Sequence, residues 1–290
     1  PLVIFSSAVA GLIGAWALNI IDGSFIDKAN VIINSGLPGN PIGAYVLSML
    51  TIEVASLYAG KTKFDIIFVP IGMIVLSILG IYVAWPFIKL IDLFSELLVI
   101  LINAGVAVKI ITGIVISVVM GILLTLPTSS AAIWVAIATS NTAVNNPEVF
   151  AIAGGAAVAG CACHMIGFAS FRENKWSGLI SQGLGTSMLQ IPNVMKKPII
   201  MLPEIIASIV SGFVAVLIDM RCTSSGGGMG TSGLVGVFGV IDATKDISMF
   251  ATVFGIIVCL FVIPAVVSLI VSEFMRKKNL IKFGDQKLED

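Results

Sequence analysis

The side chains best suited to hold a polar solute fall in two stretches of matching sequence, Gly-(Leu/Met)-Gly-Thr-Ser-x-Leu, at Gly183 to Leu189 and Gly228 to Leu234. Each copy supplies a threonine and a serine hydroxyl, which both donate and accept, on a backbone whose glycines admit a ligand closely. Gly185, Thr186 and Ser187 are the candidates from the first copy, and Gly230, Thr231 and Ser232 from the second. The first copy lies in a wider polar cluster that adds Glu173, Gln182, Gln190 and Asn193. Amides, hydroxyls and a carboxylate suit an uncharged, hydroxyl-rich solute, while bare backbone N–H groups also suit an anion. Thr128 and Ser129 follow Pro127 in an otherwise apolar run. A helix broken there offers its half-helix ends to a solute, and a mere kink offers nothing. His164 is the single histidine, beside Cys161 and Cys163. On one helix Cys161 shares its face and Cys163 does not, so zinc is not expected, and His164 is either a hydrogen-bonded core residue or a solute contact. No Ser-His-Asp set, metal-hydrolase set or Walker motif is present. No catalytic residue, metal or cofactor is therefore expected, and ATP drives nothing within this chain.

These polar stretches must be positioned inside a membrane. Of 290 residues 58% are hydrophobic and 11% charged, with a mean hydropathy of +1.09, whereas soluble domains run at about a quarter charged. The bilayer is thus the first partner. Zero net charge says nothing about a polyanionic partner, and with no basic patch nucleic acid is not expected. The four cysteines lie in or beside apolar segments, without the spacing of a disulfide framework or metal site. The chain opens at Pro1, already apolar, so further sequence is expected upstream. A crossing takes about 20 apolar residues, which predicts spans at 1–21, 40–59, 64–85, 87–108, 110–139, 147–169, 198–219 and 247–272. In 87–108, Lys89, Asp92, Glu96 and Asn103 form one polar stripe, fit for a cavity-facing span or a helix lying on the membrane surface. Gly155, Ala156, Ala159 and Gly160 give the 147–169 span the small-residue spacing of close helix packing.

Alternating sides from an inner residue 1 puts all of the lysines and arginines in the cytoplasm except Lys28, Lys89, Arg221 and Lys245. That agrees with the excess of positive charge found on cytoplasmic loops and places the C-terminus there. The first motif copy then enters from the cytoplasm, the second from outside, with one span between them. Backbone of this kind tolerates the membrane interior only where protein or water covers it. Matching interruptions on either side of a span are the mark of inverted repeats enclosing a solute site. The expected fold is an all-α polytopic membrane protein with about eight or more transmembrane helices and two oppositely facing re-entrant hairpins. Glu53 and Glu204 lie within predicted spans, each about two turns from a lysine, Lys61 and Lys197, and snorkelling or pairing with that lysine is expected.

Longer strings carry a resemblance. Gly160-Cys-Ala-Cys-His-Met-Ile-Gly-Phe, Phe171-Arg-Glu-Asn, Gly178-Leu-Ile-Ser-Gln-Gly-Leu-Gly-Thr-Ser-Met-Leu-Gln-Ile-Pro-Asn and Gly228-Met-Gly-Thr-Ser-Gly-Leu-Val-Gly resemble the EIIC-like membrane proteins of the sugar phosphotransferase system. That family includes toxin regulators named after the perfringolysin regulator. The match is densest over 120–240. It implies a sugar permease-like protein of the bacterial cytoplasmic membrane, a homodimer with one solute site per subunit, with residues 1–272 as transport domain and 273–290 as cytoplasmic tail. It also implies a sugar or similar small polar solute, and EIIB and EIIA proteins as partners that carry the phosphoryl group. No EIIB or EIIA portion and no Gly-Ile-Thr-Glu-Pro motif is present in the chain. His164 stands where glutamine is expected in many relatives. Two other readings compete: a membrane sensor that regulates gene expression through a soluble partner, and an ion-coupled symporter.

Overall fold

The structure is a computed structural model that describes residues 11, 13, 41–61, 63–169 and 171–288. Nearly all of the predicted 1–21 span and the loop after it lie outside the described residues. The described residues are helical, with no strand. Among the described residues, five helices are long and apolar enough to cross a membrane. The chain divides into two units, 1–96 with 139–145, and 97–138 with 146–290.

In the first unit α1 (Pro41–Tyr58) packs on α2 (Asp65–Asn103). Ala55, Val69 and Met73 form their buried contact. Apolar helices leave few partners for a hydroxyl, and here Thr51 and Ser77 bond back to the carbonyls of Leu47 and Met73. The sequence predicts two spans, 64–85 and 87–108, where the structure has one continuous helix of 39 residues with Pro70 and Pro86 inside it. At 1.5 Å per residue it is about 58 Å long, against a hydrocarbon core of about 30 Å. Pro86 alone marked the expected boundary, with no glycine or polar turn beside it, and an apolar helix carries an isolated proline without ending. A short helix, α5 (Asn141–Asn145), completes this unit.

The second unit is built around α6 (Pro147–Phe168). Pro147 opens it at a position where a missing N–H costs nothing. The helix is apolar on all sides, and 83% of its span is buried inside the protein, against 33% for α3 (Val106–Thr125). Its small residues allow this. A Cβ added at Gly160 would lie 1.8 Å from the Ser117 carbonyl oxygen of α3, and one at Gly155 1.8 Å from that of Met220. Ser117 Oγ in turn donates to the Ser208 carbonyl of α9 (Pro198–Leu217) at 2.8 Å, tying three helices at one level. The helix α11 (Met249–Lys277), with a π-helical middle over Gly255–Val262, covers α6 and α9 from one side.

The predicted 110–139 span is broken where Pro127 falls. The helix α3 stops at Thr125 and α4 (Ser130–Ala138) starts after a four-residue gap, 126–129. Proline cannot bond the carbonyl four residues back, that of Leu123, and the Thr128 hydroxyl donates to it instead at 2.8 Å. Between α6 and α9 the chain forms α7 (Phe171–Ile180), kinked at Lys175, a π-helical turn Ser181–Gly185, a tight turn Ser187–Gln190 and α8 (Ile191–Lys196). Between α9 and α11 it runs without regular structure to Thr231 and then forms α10 (Val235–Thr244).

Candidate functional site

The two motif copies meet. Thr231 Oγ1 donates to the Gly183 carbonyl at 2.6 Å, and Ser232 Oγ donates to the Gly185 carbonyl at 2.8 Å. Hydroxyls of the second copy thus satisfy carbonyls that the first copy's π-helical turn leaves open. A cavity of about 380 Å³ lies at this junction, with Thr186 on one wall, Ser232 on another, and the α3–α4 break on a third through Pro127, Thr128, Ser129 and Ser130. Leu124, Ala131, Met188 and Met229 complete the lining.

The existing bonds fix what each hydroxyl has left to offer, since a hydroxyl has one donor and two acceptor sites. Ser129 Oγ accepts from Ala132 N at 3.2 Å, and Thr186 Oγ1 from Met188 N at 3.2 Å, so both keep a donor. Thr128 and Ser232 spend their donors on the Leu123 and Gly185 carbonyls and keep acceptors. Ser130 donates to the Gly228 carbonyl and holds α4 against the second copy. The cavity thus presents two hydroxyls with a free donor, two that keep acceptors, and no charged side chain.

Behind the cavity stands a buried chain of polar groups. His164 Nδ1 is 2.9 Å from Thr125 Oγ1, which is 3.0 Å from Ser187 Oγ. His164 is fully buried, and Phe168 meets its ring edge-on. It reaches the motif through Thr125, a residue that sequence reasoning passed over. Its only signal was a hydroxyl two residues before Pro127. Gln182 is buried with neither amide atom paired. Gly230, one of three positive-φ residues in the second copy, packs that copy against α6.

Glu173, Gln190 and Asn193 face elsewhere. Glu173 accepts from Arg276 Nη2 and from Gln286 N, Gln190 Nε2 donates to the Gln286 carbonyl at 2.9 Å, and Asn193 Nδ2 donates to the Lys287 carbonyl at 2.9 Å. Asn174 bonds the same segment through Gln286 O and Leu288 N. The chain after α11 therefore lies across the base of the first copy, with Ile281 buried beside Phe168, Val194 and Met275. Lys197 Nζ holds Asp285 Oδ2 at 2.6 Å. Burial pushes the Asp285 carboxyl up, but the Lys197 and Lys282 N hydrogen bonds and the charges of Lys197 and Arg276 outweigh it and hold it below the usual carboxylate range. The pairing expected between Glu204 and Lys197 is absent. Glu204 is 1% exposed and forms no ion pair among the described residues, because the C-terminal segment has taken the lysine.

A family model described as phosphotransferase system, EIIC, matches residues 1–288. The chain belongs to this family. No curated protein and no solved structure matches it. As an EIIC protein it is a sugar-specific permease component of a multi-pass kind, at home in the bacterial inner membrane, and the family works with EIIB and EIIA proteins in general. The EIIC chain brings together Thr128, Ser129, Thr186 and Ser232 at one cavity, with Ser187, His164 and Thr231 packed behind them.

Proposed function

We propose that this EIIC protein binds a small, uncharged, hydroxyl-rich solute in the cavity between its two Gly-Thr-Ser stretches and carries it across the membrane by alternating access. The phosphoryl group would come from a separate EIIB protein. The observation that carries the reading is the hydroxyl lining drawn from three separate segments, Thr128 with Ser129, Thr186, and Ser232. A volume of about 380 Å³ falls within the roughly 300–1,000 Å³ usual for small-molecule sites. Apolar Leu124, Met188 and Met229 suit the carbon face of a sugar ring. Two re-entrant hairpins approaching from opposite faces would expose such a cavity to each side in turn, and a homodimer would carry one cavity per subunit.

Equilibrium binding of a panel of monosaccharides and polyols to the purified protein tests this. One or more should bind, and Thr186→Ala and Ser232→Ala should each weaken that binding about tenfold, the effect of losing one well-placed hydrogen bond of about 1.4 kcal/mol. Binding that survives both substitutions unchanged places the solute elsewhere.

A further inference from the structure

Glu204 lies in the second turn of α9, counted from Pro198, with 1% of its surface exposed, and its Oε2 has no hydrogen-bond partner. Among the described residues, no countercharge reaches it from a helix packed against α9. Its own helix carries no other titratable side chain. On α3 the single candidate is Lys109, which faces Asp219. The groups on α6 are Cys161, Cys163, His164, which bonds Thr125, and the exposed Glu148. On α11 they are Cys259, Glu273 paired with Arg172, Arg276 paired with Glu173, and the exposed Lys277. Lys197, seven residues before Glu204, belongs to Asp285.

A hydroxyl shares its surroundings without bonding to it. The Oγ of Ser268, on α11, is buried and also lacks a partner. A Cβ added at Gly167 of α6 would lie 2.7 Å from Ser268 Oγ and 3.2 Å from Glu204 Oε1. The carboxylate and the hydroxyl therefore converge on the notch left by a missing side chain. Gly167 and Ser268 also line a cavity of about 220 Å³ that runs to Arg172, Glu273, Arg276 and Gln286, near the C-terminal segment. Two carboxylate oxygens and one hydroxyl are too few for a hard metal cation, which takes roughly six oxygens. They are enough for a proton. An unpaired charge in a membrane interior is costly, and intramembrane carboxylates are the groups that relay protons.

We propose that Glu204 and Ser268 form a proton-binding site in the membrane interior. The Glu204 carboxylate takes a proton from a hydronium ion entering through the cavity, leaving water. The resulting carboxylic acid donates to Ser268 Oγ, and the proton returns to water by the same route. This site is separate from the hydroxyl-lined cavity, and its test needs no solute.

Infrared spectroscopy of the protein reconstituted in lipid bilayers, titrated with acid and base, decides it. The wild-type protein should show a carboxylic-acid C=O band, missing from the Glu204→Gln spectrum at the same pH, that fades as pH rises and returns as it falls. Glu204→Gln should abolish the band, and Ser268→Ala, which keeps the carboxyl but removes its acceptor, should displace it. Three results would overturn the proposal: a band that survives Glu204→Gln, a band that never titrates while the protein stays folded, or no band at any pH. The Ser268→Ala displacement keeps the test decisive if Glu204→Gln fails to fold.

Discussion

Gly185 and Gly230 occupy the same position in the two motif copies, yet a Cβ would meet nothing within 4 Å at Gly185, while at Gly230 it would lie 2.7 Å from backbone atoms of α6. The contrast repeats two residues earlier. At Gly183 the nearest atom is the Ile166 side chain at 3.5 Å, and at Gly228 it is the Ser130 carbonyl at 2.6 Å. The backbones differ as well. Thr186 is extended (φ −159°) between a π-helical turn and a tight turn, whereas the second copy holds Gly230, Gly233 and Leu234 at positive φ. The threonines follow suit, since Thr186 Oγ1 accepts from its own turn and Thr231 Oγ1 donates across to the first copy. One sequence thus serves two ends. The second copy is a wall jammed against α4 and α6, and the first leans on it through two hydroxyls and is braced from below by the C-terminal segment.

The hardest test of this contrast is to add one methyl group to each copy. Gly230→Ala places a side chain on a positive-φ residue and drives it into helix backbone that cannot yield, so it should cost about 3 kcal/mol or more and prevent folding at ordinary temperatures. Gly185→Ala should stay within about 0.5 kcal/mol of wild type. Thermal unfolding in detergent of the two purified variants compares them. Equal losses would mean that the two copies are packed alike.

The threonines separate next. Thr231→Val leaves the buried Gly183 carbonyl without its donor and should cost about 1–3 kcal/mol. Thr186→Val loses a local cap at the cavity edge and should cost about 0.5–1 kcal/mol, yet weaken sugar binding more than Thr231→Val does. Unfolding and binding measured on the same preparations give the two orders, which should be opposite.

What the sequence reveals of this arrangement follows the range of each interaction. Apolar length places α6, α9 and α11 within a few residues, and Pro127 marks its break, because those features are local. The repeated motif points to the junction, since a glycine-dense polar stretch in an apolar chain needs cover and the second copy provides it. Pro86 misleads, because proline reads the same whether it separates two spans or sits inside a continuous α2. The partners of Glu173, Gln190 and Lys197 are illegible, since they lie roughly 90 to 110 residues away in a segment with no motif. Nor does composition distinguish Gly185 from Gly230. That difference belongs to the neighbours.

The smallest expected effect is also the most local, a response to pH in the brace under the first copy. Asp285 titrates below the ordinary carboxylate range when its segment is docked, so its contribution is complete above about pH 3.9, the unperturbed value, and is lost as pH falls through the docked value. Lys197 and Asp285 are both partly buried, and an ion pair of this kind contributes about 0.2–1 kcal/mol. A spin label on Phe283→Cys, an exposed site in a chain whose own four cysteines are buried, reports the docking. Its mobility should rise as pH falls through that acidic window, and Lys197→Met should raise it already at neutral pH. A label on Phe238→Cys, in α10 beyond the second copy, should not respond to either change. Equal mobilisation at both positions would mean that acid loosens the whole unit, and the brace would then belong to neither copy in particular.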